Sequence, residues 1–104
     1  MSGNTFIVGD IHGCAFQLDE LLCLIDDRIE EGDQVVFLGD YIDRGPNSKR
    51  VIELLLDFRV EYGADIIFLK GNHEQWLCQA FDDPCRYSWL LGMEGLSTVK
   101  SYSM

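Results

Sequence analysis

The chain has 104 residues, enough for one domain, and its 47% hydrophobic and 12% aromatic residues suit a packed core rather than a disordered chain. The formal net charge of −10, with the eight basic residues scattered, argues against a nucleic-acid-binding surface, because phosphate backbones are held by clustered Lys and Arg. No apolar run approaches the roughly 18 residues of a membrane span and no signal peptide is visible, which predicts a cytoplasmic protein without a membrane partner.

Three apolar runs, rich in β-branched and aromatic residues, predict three buried strands. Each run leads directly into a glycine, and side chains able to ligate metal ions or transfer protons come next. We call these polar segments motif 1, motif 2 and motif 3. The strands and motifs, in chain order, are Thr5–Val8 with motif 1 at residues 9–13 (GDIHG), Gln34–Leu38 with motif 2 at residues 39–45 (GDYIDRG), and Asp65–Lys70 with motif 3 at residues 71–74 (GNHE).

Apolar residues at helical spacing fill the intervals between the strands. The predicted helices are Ala15–Ile29, a segment capped by Asn47 or Ser48 that ends near Tyr62, Glu74–Phe81, and a turn or two at 86–91. The order β-α-β-α-β-α, with right-handed crossovers, predicts an α/β fold in which helices flank a three-stranded parallel sheet. So small a sheet has exposed edges, which could pair with a partner or with a second copy of the chain.

The three motifs are expected to meet, because the ligand crevice of an α/β sheet lies at the carboxyl ends of its strands. Asp10 and His12 stand one residue apart and can reach one metal ion. A pair of divalent ions about 3.5–4 Å apart repels strongly and needs a shared anionic ligand, for which Asp40 is the candidate. Asn72 would supply a neutral amide oxygen to the second ion. A hydroxide bridging the two ions would then attack phosphorus in line.

Other residues of the motifs suit acid–base work and phosphate binding. We expect His73 to protonate the leaving oxygen, with Asp43 holding its imidazolium, and Arg44 to grip two phosphate oxygens. Glu74 either supports this site or is an acid favoured in the first turn of a helix. Each residue alone has a common structural explanation, such as a turn acid or a surface histidine. The combination of all of them at three strand ends favours a catalytic metal site.

Competing motifs are absent from the sequence. It has neither a phosphate-binding G-x-x-x-x-G-K-[ST] loop nor a G-x-G-x-x-G after the first strand, and D-x-x-D at Asp40 and Asp43 is not a calcium loop. The four cysteines show no C-x-x-C spacing and no C-x5-R signature, so neither a structural zinc site nor a cysteine nucleophile is expected. We expect buried or half-buried thiols at Cys14, Cys23, Cys78 and Cys85.

Motifs 1, 2 and 3 together resemble the three N-terminal signatures of the phosphoprotein phosphatase branch of the calcineurin-like metallophosphoesterases. Within that branch the chain most resembles bacterial and phage serine/threonine protein phosphatases and symmetrical diadenosine tetraphosphatases. Trp89-Leu90 and residues 97–102 are similar to the segment that follows the third signature, although this likeness is less specific. The resemblance runs over essentially the whole chain.

The resemblance implies the same roles for these residues. Asp10, His12 and the bridging Asp40 would bind one metal ion, and Asp40 with Asn72 would bind the second. It implies that His73 with Asp43 protonates the leaving group, and that Arg44 binds phosphate. The usual occupants of such sites are two divalent ions, manganese or iron, sometimes with zinc.

The family continues into a second half with another β-sheet, two more histidine ligands and a further phosphate-binding arginine. Only two histidines occur in this chain. We therefore expect residues 1–104 to form the N-terminal half of a metallophosphoesterase domain. Its substrates would be phosphoserine/phosphothreonine proteins or, alternatively, dinucleoside polyphosphates. A second hypothesis is a truncated, non-catalytic fragment that binds at most one metal ion and pairs through a sheet edge.

Overall fold

The computed structural model describes residues 3–62, 65–82 and 95–102, without the side chains of 80–82. Three strands alternate with helices along this part of the chain. The elements are β1 (Thr5–Val8), α1 (Ala15–Arg28), β2 (Gln34–Phe37), α2 (Ser48–Tyr62), β3 (Ile66–Phe68), α3 (Asn72–Asp82) and α4 (Gly95–Tyr102). No helix within the described ranges is both long enough and apolar enough to cross a membrane.

The strands form one parallel sheet in the order β1-β2-β3. Val8 pairs with Phe37, and Phe37 pairs with Phe68 on its other side, so the three strands end at one edge of the sheet. Sequential parallel strands joined by right-handed crossovers place successive helices on the same face. The predicted α/β fold with a three-stranded parallel sheet is confirmed, and it carries motifs 1, 2 and 3 at neighbouring strand ends.

The core lies between one face of the sheet and the helices α1 and α2. Val35 and Phe37 of β2 are fully buried, and they join Leu22 of α1 and Val51 of α2 in one apolar cluster. Side chains alternate between the two faces of a strand. The opposite face carries apolar side chains that stay exposed in the described part of the chain: Ile7 (66%), Leu38 (45%) and Leu69 (46%). Within the described residues, helices therefore cover the sheet, as expected, on the face that carries Val35 and Phe37.

The second helix begins as its sequence predicts. The Asn47 side-chain oxygen accepts the backbone N–H of Arg50 at 3.2 Å, which is the contact of a helix cap. Helix α4, at Gly95–Tyr102, occupies a stretch to which the sequence assigned no element. The predicted turn at 86–91 lies outside the described residues.

The third helix differs from its prediction, because α3 begins at Asn72 rather than at Glu74. The Glu74 carboxylate accepts the N–H of Gly71 at 2.9 Å, and the N–H of Gln75 bonds to the Gly71 carbonyl at 3.1 Å. These two bonds close the first turn earlier than the apolar spacing indicated. Asn72 and His73 therefore belong to the first turn of a helix, not to an extended segment.

The cysteine prediction is wrong for two of the residues that the structure describes. Cys23 and Cys78 are exposed, and only Cys14 is half-buried. Cys23 follows Leu22 on α1, where Leu18, Leu22 and Ile25 form the buried side of the helix. Its position therefore turns the thiol outwards. Cys85 lies outside the described residues.

Candidate metal and acid–base site

Backbone hydrogen bonds join motif 1 to motif 2. The carbonyl oxygen of Asp40 accepts the N–H groups of Ile11 at 3.0 Å and of His12 at 2.9 Å. The N–H of Gly45 in turn donates to the carbonyl of His12 at 2.8 Å. The two motifs are thus fixed to each other by their main chains, independently of any bound ion.

Two glycines allow the three motifs to approach so closely. A Cβ atom on Gly45 would overlap the carbonyl oxygen of His12, and one on Gly71 would overlap the backbone nitrogen and carboxylate of Asp40. Backbone atoms cannot yield as a flexible side chain can. Glycine is therefore required where motif 2 meets motif 1 and where motif 3 meets motif 2.

Four non-glycine residues at this junction have left-handed backbone conformations: His12 (φ 45°), Asp40 (φ 56°), Asp43 (φ 74°) and Arg44 (φ 67°). Such conformations are uncommon outside glycine, although Asn, Asp and His tolerate them better than other residues. All four are residues to which the sequence assigned a role in the site. Backbone strain of this kind often concentrates at functional sites, where the surrounding contacts hold it in place.

Asp10, His12 and Asp40 form a cluster of potential metal ligands. Each offers one ligand atom, and these atoms lie within 4.8 Å of one another. His12 Nδ1 lies 2.9 Å from the carbonyl oxygen of Ile42, which can only accept, so Nδ1 carries the proton. In the neutral imidazole the other nitrogen, Nε2, carries a lone pair, and it lies 3.7 Å from Asp10 Oδ2.

These donors fit a divalent cation. Two ligands on opposite sides of a metal ion lie about 4–4.4 Å apart, close to the span of the cluster. Lone pairs of two carboxylates and an imidazole repel when they face one another, and a shared cation removes that repulsion. A carbonyl partner that fixes the tautomer of a ligating histidine is a common feature of metal sites, and Ile42 supplies it here.

Asn72 lies beside this cluster in the fold. It is the first residue of α3 and is exposed, and the N–H of the next residue, His73, donates to Asp40 Oδ1 at 2.9 Å. The start of α3 is therefore attached directly to the carboxylate of Asp40. A helix N-terminus favours negative charge and adds to this attachment.

His73 and Asp43 form a buried acid–base pair. His73 Nδ1 lies 2.8 Å from Asp43 Oδ2, and the two residues are only 5% and 0% exposed. Because an ionised carboxylate only accepts hydrogen bonds, Nδ1 carries the proton in this contact. The His73 ring packs edge-on against His12 with centroids 4.5 Å apart, which places the pair next to the metal cluster.

Two hydroxyl groups contact Asp43 in addition to His73. Thr98 of α4 donates from its hydroxyl to Asp43 Oδ1 at 2.5 Å, and its Oγ1 accepts the Asp43 N–H at 2.8 Å. The Ser48 hydroxyl oxygen also accepts this N–H, at 3.1 Å. Sequence reasoning assigned neither residue to the site. The resemblance of residues 97–102 to a family segment was the one signal that pointed to Thr98.

Glu74 binds the main chain of two motifs. Its Oε1 accepts the N–H groups of Asp40 at 2.6 Å and Gly71 at 2.9 Å, and its Oε2 accepts those of Tyr41 at 2.8 Å and Ile42 at 3.3 Å. The sequence left two explanations for Glu74, a support for the site or an acid favoured in a helix turn. The bonds to motif 2 are explained by the first and not by the second. One carboxylate fastens motif 2 to motif 3.

Tyr41 is a further supporting residue that the sequence did not indicate. Its hydroxyl donates to the carbonyl oxygen of Leu69 at 2.6 Å, at the end of β3. Burial, and next the nearby negative charge of Glu74, raises the pKa of Tyr41 to about 12. The phenol therefore stays protonated and keeps donating at neutral pH.

The remaining part of the site is open. Arg44 directly follows Asp43 in motif 2 and is exposed. Asp10 is exposed as well, and it borders a cleft of about 360 Å³ whose lining includes Gly9, Cys14 and Leu21. A molecule arriving from solvent can therefore reach both residues.

Comparisons with known proteins all match this chain to phosphoesterases. The sequence profile of the calcineurin-like phosphoesterase family matches residues 4–100. A protein of Caenorhabditis elegans assigned as a serine/threonine-protein phosphatase is 36% identical over 90 residues, which cover 84% of this chain and 24% of that protein. The bis(5′-nucleosyl)-tetraphosphatase PrpE of Oceanobacillus iheyensis, described as asymmetrical, is 40% identical over 74 residues, covering 64% of this chain and 29% of that protein.

A similar solved structure is also that of a phosphatase. A protein serine/threonine phosphatase from Saccharomyces cerevisiae, described as similar to human phosphatase PP5, superposes with a TM-score of 0.58 at 25% identity. The match covers 83% of this chain and 28% of the yeast chain. The chain thus spans about a quarter of the length of these proteins.

Proposed function

The chain belongs to the calcineurin-like phosphoesterase family, and we propose that it carries part of the active site of a metal-dependent phosphoesterase acting on phosphoserine and phosphothreonine in proteins. The observation that carries this proposal is the convergence of Asp10, His12 and Asp40 beside the buried pair of His73 and Asp43. A ligand cluster for cations next to an oriented imidazole is what hydrolysis of a phosphate ester requires.

We assign the metal ligands from the donors at the junction of the motifs. Asp10, His12 and Asp40 would hold one divalent ion, and Asp40 with Asn72 would contribute to a second. When bound, such ions activate water and neutralise the charge of the phosphate. Manganese is the expected occupant, with iron and zinc as alternatives, because oxygen and imidazole donors suit all three.

His73 is assigned as the general acid. Because its Nδ1 proton is held by Asp43, its Nε2 is the nitrogen left to deliver a proton to the leaving oxygen. Asp43 keeps the imidazole in one orientation through its hydrogen bond to Nδ1. Arg44, exposed and next in sequence to Asp43, is assigned to the phosphate oxygens, for which its planar guanidinium is suited.

The names of the relatives support a proposal for the substrate class. The C. elegans and S. cerevisiae proteins are named as serine/threonine phosphatases. So is Arabidopsis thaliana BSL2, which is 41% identical over 75 residues, covering 65% of this chain and 7% of that protein. We therefore place phosphoproteins ahead of dinucleoside polyphosphates. We also propose that residues 1–104 are the N-terminal half of a phosphoesterase domain, so that full activity needs ligands which these residues do not supply. Cytoplasmic location and pairing through a sheet edge stay predictions.

Hydrolysis assays test this proposal. The purified chain and a longer form carrying a second half would be given p-nitrophenyl phosphate, a phosphothreonine peptide and diadenosine tetraphosphate, each with and without Mn²⁺. We expect Mn²⁺-dependent release of phosphate, fastest from the peptide in the longer form. Preference for the dinucleotide would instead support the tetraphosphatase alternative. No turnover in either form, with one ion bound per chain in calorimetry, would support the non-catalytic fragment.

A further inference from the structure

A directed chain of hydrogen bonds runs from Ser48 through Thr98 to Asp43. The Thr98 hydroxyl has one proton, and it goes to Asp43 Oδ1 at 2.5 Å, because a carboxylate oxygen can only accept. In its 3.1 Å contact with Ser48, Thr98 must therefore be the acceptor, and the Ser48 hydroxyl the donor. Hydrogen bonds aligned in this way polarise one another and strengthen the last bond of the chain.

Each oxygen of the Asp43 carboxylate has a donor of its own as a result. Oδ1 receives the proton of Thr98, and Oδ2 faces the Nδ1 proton of His73 at 2.8 Å. Rotation of the carboxylate would break both bonds at once. The group is fully buried, where a lost hydrogen bond costs about 1–3 kcal/mol because water cannot replace it. The plane of the Asp43 carboxylate is therefore fixed by these two bonds.

We propose that Thr98, supported by Ser48, is the positioning residue that aims the Asp43 carboxylate at His73 and so sets the orientation of the proposed acid. The acid role of His73 rests on the proposed function, whereas the aiming of its imidazole does not. Thr98 lies 55 residues beyond Asp43, in α4. The orientation of a group at the centre of motif 3 thus depends on an element far along the chain.

Helix docking is the alternative role for Thr98. Ser101, also on α4, provides a matched control because its hydroxyl oxygen accepts the N–H of Lys49 in α2 at 3.2 Å. Like Thr98, it bonds α4 to the rest of the fold, but its hydroxyl bonds to Lys49 and to the Thr98 carbonyl rather than to Asp43. A change at Ser101 therefore weakens docking while leaving the aim of the carboxylate intact.

The test compares the unaltered 104-residue chain with Thr98→Val, Thr98→Ser and Ser101→Ala. The measured quantity is the proton NMR resonance of the His73 Nδ1–H, which moves downfield when this proton is bonded to a buried carboxylate. His73→Asn assigns the resonance by removing it. We expect the downfield signal in the unaltered chain, in Thr98→Ser and in Ser101→Ala. In Thr98→Val we expect it to move upfield or to vanish by exchange with water.

Kinetics of the longer, active form add a second readout. Thr98→Val should lower kcat roughly tenfold and leave KM unchanged. This loss is smaller than the 10²–10⁴-fold that general acid catalysis contributes, because His73 is still present. Thr98→Ser should restore kcat. If no form hydrolyses phosphate esters, the proposed function fails, while the NMR comparison still decides the role of Thr98.

Two results would overturn the proposal. One is a downfield signal that is unchanged in folded Thr98→Val, and the other is an equal loss of signal in Ser101→Ala. Should Thr98→Val fail to fold, Ser48→Ala decides, because it removes the donor to Thr98 and weakens the last bond to Asp43. An upfield displacement in Ser48→Ala supports the proposal, and a resonance at its original position contradicts it.

Discussion

The metal cluster and the acid–base pair are neighbours that differ in exposure and in how their polar atoms are balanced. The ligand atoms of Asp10, His12 and Asp40 point lone pairs at one another, and Asp10 is open to solvent. Asp43 and His73 are buried, and both carboxylate oxygens of Asp43 have hydrogen donors within the protein. The first arrangement gains most from a cation, whereas the second is already balanced by protein groups. Metal binding and orientation of the acid should therefore be separable by mutation.

Replacing Asp40 with Asn should have the largest effect. Asn keeps the shape and tolerates the left-handed backbone at this position, but it removes the charge that the ligand cluster contributes to a cation. We expect Mn²⁺ affinity to fall by more than about 100-fold, beyond the range seen when a supporting contact is lost. Calorimetric titration measures it. Asp57→Asn, an exposed acid of α2, is the control and should bind Mn²⁺ as the unaltered chain does.

His73→Asn should affect catalysis and spare the metal. The backbone N–H of residue 73, which bonds to Asp40, remains in this variant. We expect kcat in the longer, active form to fall by roughly 10²–10⁴-fold, the usual contribution of a general acid. Mn²⁺ affinity should stay within about twofold of the unaltered value. A parallel loss of affinity would show that the cluster and the pair are one unit, contrary to the separation expected above.

Glu74→Gln should weaken both regions together. A glutamine amide has one accepting oxygen, so an NH₂ group in the place of Oε2 would face the backbone N–H donors of Tyr41 and Ile42, which the carboxylate now binds. We expect a loss of about 1–3 kcal/mol in the free energy of unfolding, the cost of leaving buried groups unpaired. Chemical denaturation measures it, and amide exchange at Tyr41 and Ile42 should accelerate.

Glu61→Gln is the matched control for this variant, since Glu61 is an exposed residue of α2. Its stability should stay within about 0.5 kcal/mol of the unaltered chain, as for most surface changes. If Glu74→Gln behaves the same way, the carboxylate does not fasten motif 2 to motif 3, and the supporting role is wrong.

The Tyr41 hydroxyl should give the smallest effect, visible at alkaline pH. Folding raises its pKa from 10.0 to about 12, so the folded state favours the protonated phenol. The resulting stability is fully present below pH 10 and is lost as the pH rises from about 10 to about 12. Unfolding free energies across this range should fall less steeply in Tyr41→Phe. Tyr62→Phe serves as the control, and an equal slope in Tyr41→Phe and the unaltered chain would contradict the raised pKa.

The spacing of apolar residues predicted those strand and helix bounds that depend on burial alone. Strand Thr5–Val8 and the start of α1 at Ala15 match, because an apolar run and helical spacing of apolar residues both reflect burial. The start of α3 was misplaced, since Glu74 closes that turn through contacts with another motif. Apolar spacing carries no information on such a contact.

The same reasoning explains which site residues were found. Asp10, His12 and Asp40 follow predicted strands directly, so the order of the chain indicates where they meet. Thr98 reaches Asp43 from 55 residues away, on a helix that the sequence did not assign. A single threonine has no local signature of such a bond. Its role depends on how α4 packs against α2, and only the three-dimensional arrangement reveals that.

Anomalous X-ray diffraction from crystals grown with Mn²⁺ tests the central claim most directly, because it locates the ion rather than its effects. We predict a strong anomalous peak roughly 2.2 Å from an Asp10 oxygen, His12 Nε2 and an Asp40 oxygen, typical of such metal–ligand bonds. The His73 to Asp43 contact should be the same with and without the ion. A Mn²⁺ peak elsewhere, or none at these three residues when the ion is in excess, would contradict the account.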